Sequence, residues 1–369
     1  MADERAIDRR AALRGIGLAG MAGIAGCVSE PATETDGEGD GDGTDMGEPT
    51  YVGMVYATGG LGDGSFNDQA QQGIQQAADE LNVDYNESQP EEVSDFSNFQ
   101  QQYAQSTDPD YDLVSCIGFQ QTDALATNAQ DFSDQEFMIV DSVVESDNVG
   151  SYLFREHEGS FLVGVMAGML TSMDFAAGAG STDGDSTNVG FVGGVQGDLI
   201  GKFEAGYTAG VKQVNESVDV RTNYVGDFND PTGGKEAALS MYNSGADVVY
   251  HAAGNTGTGV FQAAQEQGRF AIGVDRRQSV TRSSFADVIL GSMIKRVDTA
   301  VYTAVEAKAN GEFQGGSIIT LGLEEEGVGA VYGDQLGSEV PQEVKDEVDS
   351  VRESIINGDI SVPSDPDNA

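Results

Sequence analysis

The sequence predicts an α/β protein of two domains, each a parallel sheet covered by helices. Short β-branched and aromatic runs alternate with segments of helical period, and this alternation runs through the chain twice. Length agrees, because 369 residues suffice for two full cores. The first series opens with a strand at Tyr51–Tyr56 and a helix from Phe66 to Leu81. Helices near Ser94–Ser106 and Thr122–Phe132 follow, with strands near Leu113–Gly118, Phe137–Val140 and Val149–Phe154. A helix from Ser160 to about Met173 and an acidic loop at Gly178–Asn188 lead to the second series. That series reads strand Val189–Gly193, helix Lys202–Asn215, strand Val220–Val225, helix Thr232–Asn243 and strand Val248–Ala252. It continues with helix Thr258–Gln267, strands at Ala271–Val274 and Val288–Met293, and helix Val297–Asn310.

The glycine-rich stretch Gly59-Gly60-Leu61-Gly62-Asp63-Gly64-Ser65-Phe66-Asn67-Asp68 joins the first strand to the first helix. Phe66, Ala70, Ile74, Ala77, Ala78 and Leu81 recur at helical spacing, so the glycines form a strand-to-helix turn. In an open α/β sheet such turns lie at the carboxyl ends of strands, where ligands bind. Asp63 and Asn67 offer hydrogen-bonding groups and Phe66 an aromatic face, a set suited to a small polar ligand with a flat ring. The plainer alternative is a turn with Phe66 buried as a core anchor. Other junctions repeat the pattern: Gly118-Phe119-Gln120-Gln121-Thr122-Asp123, Val140-Asp141-Ser142, Gly226-Asp227-Phe228-Asn229-Asp230, Ala253-Gly254-Asn255 and Gly273-Val274-Asp275-Arg276. Any one of these polar residues reads equally as a helix N-cap. Together they fit a cleft between two facing domains.

A net charge of −44 dominates the composition, with 62 acidic residues against 6 lysines and 12 arginines. Such a polyanion repels nucleic acid rather than displacing its counterions. Regular periodic segments and 39% hydrophobic residues separate it from acidic disordered chains. A carboxylate-covered surface is self-repelling except where salt screens it over about 3 Å, as at molar concentration, so a halophilic source is expected. Two cysteines make no disulfide framework; Cys116, in a strand-like run, is expected to be buried and inert.

Asp8-Arg9-Arg10 precedes a weakly apolar, glycine-rich stretch at Gly15–Gly26, too short to span a bilayer stably. The combination reads as a twin-arginine export signal over 1–27. Ile24-Ala25-Gly26-Cys27 resembles a lipobox, with Cys27 as the lipidated first mature residue. Residues 28–49 are acidic and glycine-rich with almost no apolar side chains, and form a self-repelling tether; their Asp-Gly steps lack the register of a calcium loop.

Enzymatic readings find little. Gly60-Leu61-Gly62-Asp63-Gly64 and Gly254-Asn255-Thr256-Gly257-Thr258-Gly259 lack the spacing that cradles pyrophosphate at a helix N-terminus. His157 and His251 are the only histidines, with no zinc cluster and no nucleophile elbow. No cofactor or metal is expected.

Several blocks in one order give a closer identification. They are Asp63-Gly64-Ser65-Phe66-Asn67, Phe154-Arg155-Glu156-His157-Glu158-Gly159-Ser160-Phe161-Leu162, Val189-Gly190-Phe191-Val192-Gly193-Gly194, and Phe203-Glu204-Ala205-Gly206-Tyr207. Gly245 to Gly254, Ile272-Gly273-Val274-Asp275, and Ser292 to Asp298 complete the set. They resemble the basic membrane protein family of ABC transporter substrate-binding lipoproteins, similar to the purine nucleoside receptor A lipoproteins, over about 50–325. The resemblance implies a type I periplasmic-binding-protein fold, two Rossmann-like lobes joined by hinge crossings. Lobe 1 is expected at 50–154 plus about 281–325, lobe 2 at 155–280, and a C-terminal segment at 326–369. It also implies a lipid-anchored monomer on the extracellular face that delivers a nucleoside to an ABC permease and ATPase. By resemblance Phe66 and Asn67 hold the base, Asp123 reads it, and Asp275 and Lys295 hold the ribose hydroxyls. Phe203 and Phe228 compete for the second stacking face, and Gly254 lies alongside. A lysine at a helix start is at the electrostatically unfavourable end, which favours a buried functional role for Lys295. The family's Ser-Asp-Gln after the aspartate is replaced by Arg276-Arg277-Gln278, which either pair with surface acids or alter the ligand. A ligand sensor with the same cleft is the alternative to transport, and a nucleotide-dependent enzyme a more distant one.

Overall fold

Residues 47–369 are described in a computed structural model of the chain; the leader, Cys27 and nearly all of the tether lie outside them. Thr50–Val55 (β1) forms a strand whose last four residues are buried. It leads through the glycine turn into Phe66–Glu80 (α1), which buries Ala70, Ile74 and Ala77. Val83–Ser88 (β2), Phe96–Ala104 (α2), Leu113–Cys116 (β3), Thr122–Asp131 (α3), Glu136–Val140 (β4) and Val149–Phe154 (β5) complete the first run. The polar edge strand β2 gave no sequence signal, because only one of its six residues is buried.

The chain then crosses to the second lobe. Glu156–Thr171 (α4) starts four residues earlier than the periodicity suggested. Fourteen of its 16 residues are buried, so it has no polar face from which to read a phase. A small hairpin, Ala176–Ala177 (β6) with Gly180–Ser181 (β7), leads to Asn188–Gly193 (β8), Asp198–Val214 (α5), Asp219–Tyr224 (β9) and Pro231–Asn243 (α6). Ala246–Ala252 (β10), Gly257–Gln267 (α7), Phe270–Gly273 (β11), Gln278–Thr281 (α8) and Ile289–Lys295 (β12) follow. Helices α4 and α5 pack backbone to backbone. A Cβ on Gly206 would lie 2.1 Å from the carbonyl oxygen of His157, and one on Gly210 2.1 Å from that of Phe161.

Val297–Ala309 (α9) returns to pack on α1, Ile318–Leu321 (β13) joins β5, Val328–Tyr332 (β14) joins β12, and Gln342–Ile356 (α10) packs on α4. The sheets run β13-β5-β4-β3-β1-β2 and β14-β12-β11-β10-β8-β9, parallel apart from the β12–β14 pair. The expected α/β fold of two parallel-sheet lobes is therefore present. One expected boundary moves. The return to the first lobe falls at Arg296 rather than near 281, because β12 pairs with β11 and β14 in the second sheet. Cys116 is fully buried, and burial pushes its thiol pKa up, as an inert core cysteine requires. No helix among the described residues is long and apolar enough to cross a membrane.

Candidate functional site

A cavity of about 630 Å³, its open mouth included, lies between the two lobes where the strands of both sheets end. Its lining joins first-lobe residues (Phe66, Asn67, Phe119, Gln120 and Asp141) to second-lobe residues (Phe203, Phe228, Gly254, Asp275 and Lys295).

Lys295, at the end of β12, is the charged centre. Its side chain is buried and its Nζ lies 2.6 Å from Asp141 and 3.1 Å from Glu156. The same ammonium sits 5.2, 5.1 and 5.5 Å from the ring centroids of Phe66, Phe154 and Phe203. Burial works against its charge, but Asp141, Glu156 and Asp275 together outweigh burial and hold its pKa above the ordinary range. Lys202 reaches the other oxygen of Glu156 at 3.4 Å. Three carboxylates thus face two lysines, an excess of one negative charge in a low-dielectric pocket. Burial accordingly raises Asp141 to about 6, against the lowering effect of Lys295. Burial likewise raises Asp275 to about 7, with Lys295 and the Ser65 hydroxyl acting in the opposite sense.

Asp141 and Asp275 occupy equivalent positions just past β4 and β11, and both adopt left-handed backbone, φ 68° and 62°. Aspartate tolerates that region better than most residues, and such conformations gather at functional sites. The turn lets each carboxylate point back across the strand ends. Both oxygens of Asp141 lie 2.6 Å from the Lys295 ammonium, and Asp141 lines the cavity.

The opening turn has two jobs. Asp63 lines the cavity, but its oxygens accept the backbone N–H groups of Ser65 (2.8 Å), Asn67 (2.9 Å) and Asp68 (3.2 Å). Its carboxylate therefore caps the start of α1 while it lines the cavity. Asn67 accepts from the N–H of Ala57 through Oδ1 (3.0 Å), which fixes its amide orientation. The turn is also gripped by the second lobe. Ser65 donates to Asp275, Thr281 donates to the carbonyl of Gly64 (3.0 Å), and Arg282 donates to that of Gly62 (3.0 Å).

Asp123 is a correction. It is exposed on the first turn of α3 and outside the cavity lining, because its helix carries it past the strand end. Gln120, three residues earlier, lines the cavity. Both Phe203 and Phe228 line the cavity: Phe203 is buried beside Lys295, whereas Phe228 meets Phe119 of the other lobe edge-on at 6.4 Å. Gly254 holds φ 54°, and a Cβ there would press on the Phe228 carbonyl at 3.2 Å. Arg276 turns to α1, donating to Gln72 (3.0 Å) with Asp68 at 3.9 Å, and Arg277 is exposed; neither lines the cavity. His251 is buried against Gln278 at 2.9 Å, and burial lowers its pKa to about 3, so it stays neutral. Reasoning from sequence named Phe119, Gln120 and Asp141 only as strand-end junction residues, without roles of their own, and gave Glu156 no role in the site. Their only signal was position at a strand end or on the segment after β5.

Two α/β lobes joined by three crossings, with an aromatic and charged cavity where the strands of both sheets end, define a solute-binding protein of the periplasmic type I fold. The chain belongs to the Bmp family, described as ABC transporter substrate-binding protein PnrA-like, whose profile matches residues 50–366. It is similar to the ABC transporter nucleoside-binding protein BmpA of Lactococcus lactis, at 34% identity over 96% of this chain and 98% of that one. It is also similar to the CD4+ T-cell-stimulating antigen of Listeria monocytogenes, at 38% identity over 85% and 88% of the two chains. Among solved structures, an ABC transporter system solute-binding protein from Aeropyrum pernix K1 superposes with a TM-score of 0.76 at 30% identity, covering 86% of this chain and 95% of that one. The protein is thus an ABC transporter substrate-binding protein, of a class that takes up a small molecule and presents it to permease and ATPase subunits.

Proposed function

We propose that the solute is a nucleoside, with purine nucleosides preferred, and that the protein delivers it to an importer from the outer face of the membrane. The observation that carries this reading is one cavity with two unlike parts. Four phenyl rings, Phe66 and Phe119 from one lobe and Phe203 and Phe228 from the other, suit a flat base. Lys295 with Asp141 and Asp275 suits a sugar, since an ammonium donates to hydroxyl oxygens and ionised carboxylates accept from hydroxyl groups. The name of the Lactococcus relative supports the same solute class. Arg276 and Arg277, turned away from the lining, give no reason to expect an anionic ligand. The ribose-binding pair expected from sequence, Asp275 and Lys295, is kept in this proposal and Asp141 joins it; Asp123, expected to read the base, has no place in the lining.

Isothermal titration in molar KCl, the medium the acidic surface is read as adapted to, tests the solute. Inosine and adenosine should give saturable heat at one site, whereas free ribose and free hypoxanthine should bind far more weakly. Absence of heat with every nucleoside overturns the reading. Anchoring is proposed from the twin arginines and the lipobox alone, as both lie outside the described residues. Mass spectrometry of the membrane-extracted protein should find a lipidated N-terminus at Cys27; an intact leader or an unmodified Cys27 rules the anchor out.

A further inference from the structure

We infer that Gln120 is the residue that reads the edge of the base, and that it does so as a reversible amide, whose N–H₂ and carbonyl exchange places against the ligand. The inference rests on the nucleoside reading of the cavity and goes beyond it by naming a specificity residue.

The two neighbouring glutamines behave differently. Gln121 is fully buried and fully engaged: its amide nitrogen donates to the carbonyls of Val55 (2.7 Å) and Ile117 (3.0 Å), and its oxygen accepts from Gln100 (3.0 Å). It ties the turn to the sheet. Gln120 lines the cavity and makes a single side-chain hydrogen bond among the described residues, from the hydroxyl of Thr58 to its Oε1 at 3.1 Å. Its Nε2 makes no hydrogen bond to another described residue.

Elimination narrows the reader further. Away from the charged cluster, the lining consists of Ala57, Gly59, Gly118, Leu199, Ile200, Ala252, Ala253, Gly254 and Val274, besides the phenyl rings. None of these side chains is polar. Asp63 uses both oxygens on the start of α1. Asn67 is oriented by the N–H of Ala57, so it offers only its N–H₂. Gln120 is the remaining lining side chain with both a donor and an acceptor to offer.

Its tether permits the reversal. A threonine hydroxyl both donates and accepts, so Thr58 holds the carboxamide equally well after a half-turn about the terminal bond. In one orientation the amide matches the donor–acceptor pair of a 6-amino purine, and in the other the acceptor–donor pair of a 6-oxo purine. A backbone N–H or a carboxylate in the same place offers one sense only.

The test is titration of adenosine, inosine and purine riboside, which lacks a substituent at C6, against the wild-type chain, Gln120→Leu and Gln120→Glu. The wild type should bind adenosine and inosine within about tenfold of each other. Gln120→Leu should weaken both by about tenfold or more, the scale of two hydrogen bonds, and purine riboside, which keeps the N1 acceptor but has nothing at C6, by clearly less than either. Gln120→Glu, which accepts but cannot donate, should also weaken both. Equal losses for all three nucleosides in Gln120→Leu would show a change of pocket shape and overturn the inference. Unchanged affinities, or a wild type that separates adenosine from inosine by over about a hundredfold, overturn it as well. Lack of nucleoside binding by the wild type itself marks failure of the underlying solute assignment instead.

Discussion

Lys295→Met should abolish ligand binding and destabilise the fold by about 3–5 kcal/mol, the usual cost of removing one partner from a buried ion pair. Methionine fills most of the lysine's volume and keeps its apolar stem, so the loss reports charge rather than a cavity. Asp141 and Glu156 would be left buried beside each other with only Lys202, 3.4 Å from Glu156 and partly exposed, as counter-charge. Denaturant unfolding of the variant measures the cost. Adding Asp141→Asn should recover part of the stability by removing one orphaned charge, yet should not restore binding. A Lys295→Met protein with wild-type stability and affinity would remove the cluster from the account.

Asp275 gives the second large effect, and its pH dependence has two opposite signs. Burial holds its pKa at about 7 in the folded chain, above its ordinary 3.8. Between those values the folded state binds a proton that the unfolded state has released. Asp275 therefore contributes a stability that falls as pH rises through that window. Nucleoside affinity should move the other way, rising as pH passes about 7, because in the proposed complex the ionised carboxylate accepts from the sugar hydroxyls. Asp275→Ala should keep the fold, lose on the order of a hundredfold in affinity, and flatten the affinity–pH profile, the scale set by two charge-assisted hydrogen bonds. Titrations between pH 5.5 and 8.5 read both. An affinity that falls on raising the pH would mean that protonated Asp275 is the binding form.

How far the sequence carried the site depends on the kind of signal each residue leaves. Phe66, Asn67, Asp275 and Lys295 sit where a strand pattern gives way to glycines or a helix start, so their positions at the cleft were legible. Asp141 was legible only as a strand-end junction residue, and neither its role nor that of Glu156 was. Each is one of 62 acidic residues, and what marks them is burial against a lysine 154 and 139 positions away. No local pattern records such a meeting. Asp123 shows the opposite error: a junction residue that the helix rotates out of the cleft. The return crossing moved for a similar reason. Ile289–Lys295 looks like any strand, and only its pairing with β11 and β14 shows which lobe owns it.

In the proposed complex the nucleoside has its sugar on Lys295, Asp141 and Asp275 and its base among the phenyl rings. Titrating inosine and 2′,3′-dideoxyinosine into the wild type and into Asp275→Ala tests that placement most directly. On the wild type, loss of the two hydroxyls should cost on the order of a hundredfold; on Asp275→Ala the same loss should cost only a few-fold, since the groups that meet have already been parted. Equal losses on the two proteins would show that the hydroxyls and Asp275 do not touch, and would contradict the account.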